Sequence, residues 1–231
     1  MKISGIQKLT LLDFPDHVAC TLFTPGCNFK CPFCHNSSLV LDLSTCQIID
    51  EEEIFSFLKK RVGIIDGVCI TGGEPTLQKD LKDFIRKIKN LGYSVKLDTN
   101  GYRPEILKEL VEENLLDYVA MDIKNSISKY PKTIGKDDFD ENLIKESIDY
   151  LLENHVDYEF RTTVVKEFMS KEDFIEIVEL IKGAKRYYLQ AFRDSGSCIK
   201  SGLHAYSKEE MENFVEILKK YNVTATIRGM D

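Results

Sequence analysis

The sequence lacks any long apolar run, and this absence limits what the chain can do. Its apolar segments are only a few residues long, whereas a membrane-spanning helix needs about 20. The N-terminal segment Met1–His17 also lacks the apolar core and the small-residue cleavage site of a secretory signal. We therefore expect no membrane partner and a cytoplasmic location.

The chain also lacks an excess of positive charge. It has 31 basic and 38 acidic residues, a formal net charge of −7 at pH 7, and its basic residues are scattered rather than gathered into a stripe. Nucleic acid is therefore not expected as a partner. Internal repeats, low-complexity tracts and Gly/Ser linkers are missing as well. A chain of 231 residues with 43% hydrophobic content can bury one core, so we expect a single domain over residues 1–231.

Strand-like and helix-like apolar patterns alternate along the chain, which is typical of βα units around a parallel sheet. The predicted strands are His17–Thr24, Gly67–Thr71, Ser94–Thr99, Tyr118–Ile123, Tyr158–Val165, Arg186–Ala191 and a closing Val223–Arg228. The predicted helices are Glu51–Arg61 with Asp50 as its cap, Gln78–Asn90, one from Pro104, and Ser207–Tyr221. Asn125–Asp140 is predicted to be an irregular functional loop. The pattern predicts an α/β fold with about six βα units.

A cysteine cluster follows the first predicted strand, at the edge where parallel α/β sheets build their active sites. Cys27, Cys31 and Cys34 have C-x3-C-x2-C spacing, and no fourth cysteine lies at a comparable short interval. A structural zinc normally takes four protein ligands, and a closed electron-transfer cluster takes four cysteines. Three thiolates suit an iron–sulfur cluster with one open iron. Zinc with His35 as fourth ligand is the alternative, although its adjacency to Cys34 makes simultaneous ligation awkward.

The other cysteines do not join this cluster. In a reducing environment, clustered cysteines bind metal or do redox chemistry more often than they form disulfides. Cys20 and Cys69 lie inside apolar strands, where cysteine behaves as a small apolar residue. Cys46 and Cys198 lie in loops, and their roles stay open.

The loop C-x3-C-x-aromatic-C after the first strand resembles the signature of the radical S-adenosylmethionine (SAM) superfamily. The resemblance implies a partial (β/α)6 TIM-like barrel in which Cys27, Cys31 and Cys34 hold three irons of a [4Fe–4S] cluster. The fourth iron would bind the amino and carboxylate groups of SAM, and reductive cleavage would yield a 5′-deoxyadenosyl radical and methionine. Phe33 is implied to lie against the adenine. The extra cysteine quartets of some activases are missing, so one cluster is expected.

A second motif follows the next strand. Gly72 and Gly73 allow the backbone to approach a ligand closely, and the carboxylate of Glu74 can accept hydrogen bonds from an ammonium group. Gly-Gly-Glu-Pro would also make an ordinary turn. In the family that the chain resembles, this motif meets the SAM amino group. Asn36, in the family's Cys-His-Asn triplet, is also assigned to the cofactor.

Charged residues close the later strands. The resemblance implies that Asp98, Thr99 and Asp122 hold a monovalent cation and that Lys124 and Arg161 contact SAM. A solvated ion pair between Asp122 and Lys124 is the alternative for that pair. Because an arginine among apolar strand neighbours needs an anionic partner, a salt bridge to Glu159 or Asp157 is the alternative for Arg161. Some activases place a histidine on the sixth strand, where this chain offers Gln190 or Arg193.

Within the superfamily, the chain is most similar to glycyl-radical-enzyme activases, and among these to the activating proteins of anaerobic ribonucleoside-triphosphate reductase. The matching segments are Gly5–Lys8, Leu12–Pro15, Cys34–Asn36, Ile70–Gln78, Leu97–Gly101 and Tyr118–Lys124. The resemblance implies removal of a hydrogen atom from a glycine of that reductase, with an external electron donor such as flavodoxin or ferredoxin.

Asn125–Asp140 and Asp194–His204 are predicted to flank the docking site of that partner. Two other functions stay open. The substrate could be a small molecule or another glycyl-radical enzyme, or the chain could be a non-catalytic iron–sulfur or zinc module.

Overall fold

The computed structural model describes residues 1–230. Within them, eight strands form one sheet whose spatial order follows the chain. The strands are β1 (Gly5–Thr10), β2 (Ala19–Thr24), β3 (Gly67–Gly72), β4 (Ser94–Thr99), β5 (Tyr118–Asp122), β6 (Asp157–Val164), β7 (Tyr187–Ala191) and β8 (Ala225–Arg228). β1 pairs antiparallel with β2, and the later neighbours pair in parallel. The carboxyl ends of β2 to β8 therefore lie at the same edge.

Eight α-helices connect the strands in the described residues. They are α1 (Ser37–Leu41), α2 (Glu51–Arg61), α3 (Leu81–Lys89), α4 (Pro104–Glu112), α5 (Tyr130–Ile134), α6 (Glu141–Leu152), α7 (Lys171–Leu180) and α8 (Lys208–Lys220). Phe84 and Ile88 on α3 belong to the same buried core as Val95 and Leu97 on β4. Between residues 1 and 230, every helix is too short or too polar to cross a bilayer.

This architecture confirms the predicted α/β fold, a partial barrel with six consecutive parallel strand pairings. β4 has the predicted bounds, and so does α2. α4 begins at Pro104 as expected, and α8 begins after Ser207, whose side chain accepts a hydrogen bond from Glu210 N (3.2 Å). β1 was missed, because most of its residues are exposed or half-buried at the sheet edge and the apolar alternation is weak.

Two further expectations differ from the structure. The side chain of Asp50 makes no capping hydrogen bond in the described part of the chain. Instead, the carboxylate of Glu51 in the first turn of α2 pairs with the N-terminal ammonium group of Met1 (2.7 Å). The segment Asn125–Asp140 is more ordered than predicted, because it contains a 3-10 helix, Ile127–Lys129, followed by α5.

Candidate active site

A cavity of about 250 Å³ lies at the carboxyl ends of β2 to β7. Every site residue predicted from the sequence lines this cavity except Glu74. These lining residues are Cys27, Cys31, Phe33, Cys34, Asn36, Gly72, Gly73, Asp98, Thr99, Asp122, Lys124 and Arg161. The strand topology thus brings together residues that are far apart in the sequence, as parallel α/β folds require.

The cysteine loop, residues 26–36, is built on backbone contacts with the second half of the chain. Lys30 N donates to Ile134 O of α5 (2.8 Å), and Lys200 N donates to Pro32 O (2.8 Å). The thiol of Cys27 accepts a hydrogen bond from Phe29 N (3.4 Å). These contacts hold the loop in one conformation beside the cavity.

Burial controls the protonation of the three cluster-candidate thiols. It raises the pKa of Cys27 to about 12, that of Cys31 to about 11, and that of Cys34 above its ordinary value. The ammonium group of Lys124 opposes this shift at each thiol. Without further positive charge the thiols stay protonated, whereas a metal centre deprotonates the cysteines that bind it. Three thiols beside one cavity, with Cys31 buried and Cys27 and Cys34 half-buried, are a donor set that fits a cationic iron–sulfur cluster.

In residues 1–230, no three His, Cys, Asp or Glu side chains lie close enough to hold one metal ion. A single bound ion would need such a group, whereas the thiolates of a [4Fe–4S] cluster each bind a different iron. The imidazole of His35, the fourth ligand in the zinc alternative, is engaged elsewhere. Its Nε2 lies 2.6 Å from Arg193 O, and its ring stacks on Phe192 at 5.6 Å. This geometry gives the zinc alternative no support.

The remaining cysteines lie in different environments. Cys20 and Cys69 are fully buried in β2 and β3. The thiol of Cys46 approaches Ser38 O (3.4 Å), and the thiol of Cys198 approaches Phe33 O (3.8 Å). Cys198 therefore packs against the cysteine loop.

Gly72 and Gly73 are required by close backbone packing. A Cβ atom at Gly72, whose φ is +115°, would lie 2.4 Å from Thr24 N, and one at Gly73 would lie 2.0 Å from Gly26 O. Two hydrogen bonds join the same segments, from Gly73 N to Thr24 O (2.8 Å) and from Glu74 N to Gly26 O (2.7 Å). Because these residues have no Cβ atom, the end of β3 can pack directly against the start of the cysteine loop.

Glu74 lies behind the cavity wall and is only 1% exposed. Its Oε1 accepts hydrogen bonds from Thr76 Oγ1 (2.6 Å) and Thr99 Oγ1 (2.8 Å), and its Oε2 accepts one from Asn100 N (2.7 Å). Burial raises the pKa of this carboxyl group above its ordinary value, against these hydrogen bonds. In this structure Glu74 ties the end of β3 to the end of β4, and its contact with SAM stays a prediction.

Asp98 and Asp122 share one guanidinium group. Arg161 donates from Nη1 to Asp98 Oδ2 (3.2 Å) and from Nε to Asp122 Oδ1 (2.9 Å). The predicted alternative partners of Arg161 are engaged elsewhere, since Glu159 pairs with Arg228 at 2.8 Å and Asp157 with Arg186 at 3.5 Å.

Lys124 donates to Asp122 Oδ2 (2.9 Å). This alternative ion pair therefore forms, but its side chains are only 17% and 25% exposed rather than solvated. Burial would raise the pKa of Asp98, but the charges of Arg161 and Lys96 outweigh it and lower the pKa to about 2.

Other predicted residues have protein partners as well as a place at the cavity. Asn36 Nδ2 donates to Gly72 O (2.9 Å), and Phe33 packs edge-on against Phe168 at 5.8 Å. Of the two candidates predicted for the sixth strand, Gln190 lies in β7 and lines the cavity. Arg193 lies two residues beyond β7, and its guanidinium group donates to the backbone of Gly229 (2.7 Å).

Sequence reasoning missed two functional candidates. Asn100 Nδ2 donates to Asn28 Oδ1 (2.8 Å) and lies 3.8 Å from Cys27 Sγ, so its amide reaches a predicted cluster ligand. Lys96 is buried and pairs with Asp98. Lys96 and Asp98 are two positions apart and share one face of β4. A charged residue inside an apolar strand was the signal that could have revealed Lys96, as it did for Arg161.

Comparison with known proteins places this chain in a family. A model of the Radical SAM superfamily matches residues 21–181, which include the cysteine loop and strands β3 to β6. The chain belongs to the radical SAM superfamily. It is therefore a radical SAM enzyme, and its cofactors are a [4Fe–4S] cluster and SAM.

The chain is similar over nearly its full length to a curated relative. A putative glycyl-radical enzyme activating enzyme of Methanocaldococcus jannaschii is 36% identical over 235 residues, which cover 99% of this chain and 96% of that protein. The match includes both the cysteine loop and the closing strand.

Two solved structures share the fold. A domain of pyruvate-formate lyase-activating enzyme from Bacteroides vulgatus has a TM-score of 0.58 and 22% identity, covering 71% of this chain and 99% of that one. Streptococcus suis SuiB bound to S-adenosylmethionine has a TM-score of 0.67 and 18% identity, covering 90% and 52%. At these identities the likeness concerns the fold alone.

Proposed function

We propose that this radical SAM enzyme activates a glycyl-radical enzyme, and that its partner is anaerobic ribonucleoside-triphosphate reductase. The observation that carries the proposal is the 36% identity, over 99% of the chain, to a putative glycyl-radical enzyme activating enzyme. The choice of this reductase is supported by the segments at Gly5–Lys8, Leu12–Pro15 and Cys34–Asn36, which resemble its activating proteins.

In this proposal the protein binds and orients its cofactors. Cys27, Cys31 and Cys34 hold the cluster, and Lys124 and Arg161 present positive charge to the carboxylate of SAM at the cavity surface. When bound and reduced by an external donor such as flavodoxin or ferredoxin, the cluster and SAM supply the radical that removes hydrogen from the glycine α-carbon.

The partner must bring its glycine to the cavity, since radical transfer requires near contact between the reacting atoms. Two segments border the cysteine loop and support a docking role. Asn125–Asp140 contacts the loop through the bond between Lys30 and Ile134, and Asp194–His204 contacts it through Lys200 N. We assign the docking surface to these two segments.

The decisive test is electron paramagnetic resonance spectroscopy of the anaerobically mixed proteins. This protein, SAM, a reductant and the reductase should give a glycyl doublet, which disappears when the target glycine is replaced by alanine. The Cys34→Ala variant should give no doublet, and Cys20→Ala, a thiol buried in β2, should behave as wild type.

Cleavage of SAM without a doublet would overturn the choice of this reductase. A doublet with a different glycyl-radical enzyme would keep the activase function, whereas a small-molecule product would replace it.

A further inference from the structure

Four carboxylate oxygens at the cavity are each bonded to a cationic side chain of the protein itself. Asp98 Oδ1 accepts from Lys96 Nζ (2.5 Å), and Asp98 Oδ2 accepts from Arg161 Nη1 (3.2 Å). Asp122 Oδ1 accepts from Arg161 Nε (2.9 Å), and Asp122 Oδ2 accepts from Lys124 Nζ (2.9 Å). Among these five side chains, three are cationic and two are anionic, so this group of residues carries one net positive charge.

Lys96 differs from the other two cations because it does not line the cavity. It is 1% exposed and lies beside Cys69, whose thiol is 3.9 Å from Nζ. A buried ammonium group needs a charged partner, and Asp98 provides it. Lys96 thus contacts Asp98 from the protein interior, whereas Asp98 itself lines the cavity.

The hydroxyl of Thr99, the third predicted ligand of a monovalent cation, is also engaged. It donates to Glu74 Oε1 (2.8 Å) and accepts from Gly101 N (3.1 Å). A small cation binding here would have to share the carboxylate oxygens with Lys96, Arg161 and Lys124, and the five charged side chains already carry a net positive charge. The resident cations would repel a further positive charge, and this repulsion is stronger in a partly buried site than in water.

We infer that Lys96, Arg161 and Lys124 supply the positive charge that the family resemblance assigned to a monovalent cation, so that SAM binding here needs neither sodium nor potassium. Lys96 is the positioning residue of this arrangement, because it holds Asp98 from outside the cavity. The inference replaces the expected cation site at Asp98, Thr99 and Asp122. It concerns the SAM site alone and does not depend on which partner receives the radical.

The first test measures SAM binding to the reconstituted wild-type protein by isothermal titration calorimetry. Potassium or sodium chloride replaces choline chloride at constant ionic strength, so that screening stays the same. The affinity for SAM should stay constant within about twofold, since no site for a small cation has to be filled. Loss of SAM binding in choline chloride, with recovery in potassium or sodium, would overturn the inference.

The second test uses a variant in which SAM binding should come to depend on potassium or sodium. In Lys96→Met, Asp98 Oδ1 loses its partner and becomes available to a small cation, so SAM should bind about tenfold more weakly in choline chloride. Potassium or sodium should restore the affinity, and Lys96→Arg should behave as wild type. Lys87→Met is the matched control, because it breaks an ion pair with Glu51 on the surface.

If Lys96→Met bound SAM as wild type does in every salt, Lys96 would have no positioning role. If that variant failed to fold, the wild-type titration and Lys96→Arg would still decide the inference.

Discussion

The thiols of Cys27, Cys31 and Cys34 share one cavity, and each is expected to bind a different iron. Replacing any one of them by alanine should reduce the iron content of the anaerobically reconstituted protein well below about four per chain. Cys20→Ala should keep the full iron content, because its thiol is buried in β2 away from the cavity. Iron analysis together with the absorption spectrum checks this, and a full cluster in Cys34→Ala would refute the assignment.

The carboxyl group of Asp98 predicts a pH dependence of stability. Arg161 and Lys96 overcome the effect of burial and lower its folded-state pKa from 3.8 to about 2. The stabilisation is therefore present above about pH 4 and is lost as the pH falls towards about 2, with a size of at most about 2 kcal/mol. Urea unfolding between pH 6 and pH 3 should show a smaller loss of stability in Asp98→Asn than in wild type.

The cluster would complicate this acid titration, so both proteins should carry serine at the three cluster cysteines. Equal slopes of unfolding free energy against pH in the two proteins would show that Asp98 is not held in its ionised form.

At single residues, sequence reasoning found the chemistry but not all the contacts. Asp98 lies near the end of β4 and Lys124 just beyond the end of β5, and these positions were enough to predict that they meet at one cavity. Two partners of Glu74 were not predictable, because Thr99 and Asn100 lie at the end of β4 and their contacts depend on how closely the ends of β3 and β4 approach. Lys96 was overlooked because it lies three residues before the end of β4, where a residue facing the active site was not expected.

At the scale of elements, the contact between the end of β3 and the cysteine loop predicts that alanine at Gly73 will destabilise the protein far more than alanine at Gly5. Gly73→Ala should destabilise the protein by about 3 kcal/mol or more, because its Cβ would overlap Gly26 O at 2.0 Å. Gly5→Ala is the matched control, since its Cβ would make ordinary contacts with Phe23 from 3.5 Å. Urea unfolding measures both changes, and equal stability of the two variants would contradict the predicted overlap.

The carboxylate of Glu74 predicts an effect on a second pair of elements, the ends of β3 and β4. Glu74→Ala would leave the buried N–H of Asn100 and the hydroxyl groups of Thr76 and Thr99 without their acceptor, at about 1–3 kcal/mol for each unsatisfied group. The variant should therefore lose stability as well as affinity for SAM. Lys124→Ala should weaken SAM binding and retain the iron. Thermal unfolding measures the stability of each variant, and calorimetry measures its affinity for SAM. An unchanged melting temperature in Glu74→Ala would contradict the role of Glu74 in tethering β3 to β4.

Helices and strands with a buried apolar face were predictable from the sequence. Those that form only through pairing or packing with a neighbouring element were not. β4 and α4 combine apolar periodicity with clear boundary residues, so their sequences were sufficient. β1 owes its conformation to pairing with β2 across the sheet edge. The five-residue α5 is too short to be stable alone and depends on packing against the cysteine loop, as the bond between Lys30 and Ile134 shows.

For the whole molecule, cluster binding should increase stability, because the cluster binds the folded state and its ligands are dispersed in the unfolded chain. The reconstituted protein should melt at least about 4 °C above the iron-free protein. In Cys34→Ala the two preparations should melt together. Differential scanning calorimetry under anaerobic conditions measures this, and equal melting temperatures for wild type with and without iron would contradict it.

The backbone contacts of the cysteine loop also set an order of events during synthesis. Strands β1 to β8 pair in chain order, so the sheet can grow as the chain leaves the ribosome. The cysteine loop emerges early and can soon pair with Glu74 through Gly26 O, but its contacts with Ile134, Arg193 and Lys200 need residues that are translated much later. The loop can therefore reach its final conformation only after most of the chain has been synthesised. During that interval the thiols of the nascent protein are open to oxidation, and maturation depends on how well the cell keeps them reduced until iron arrives.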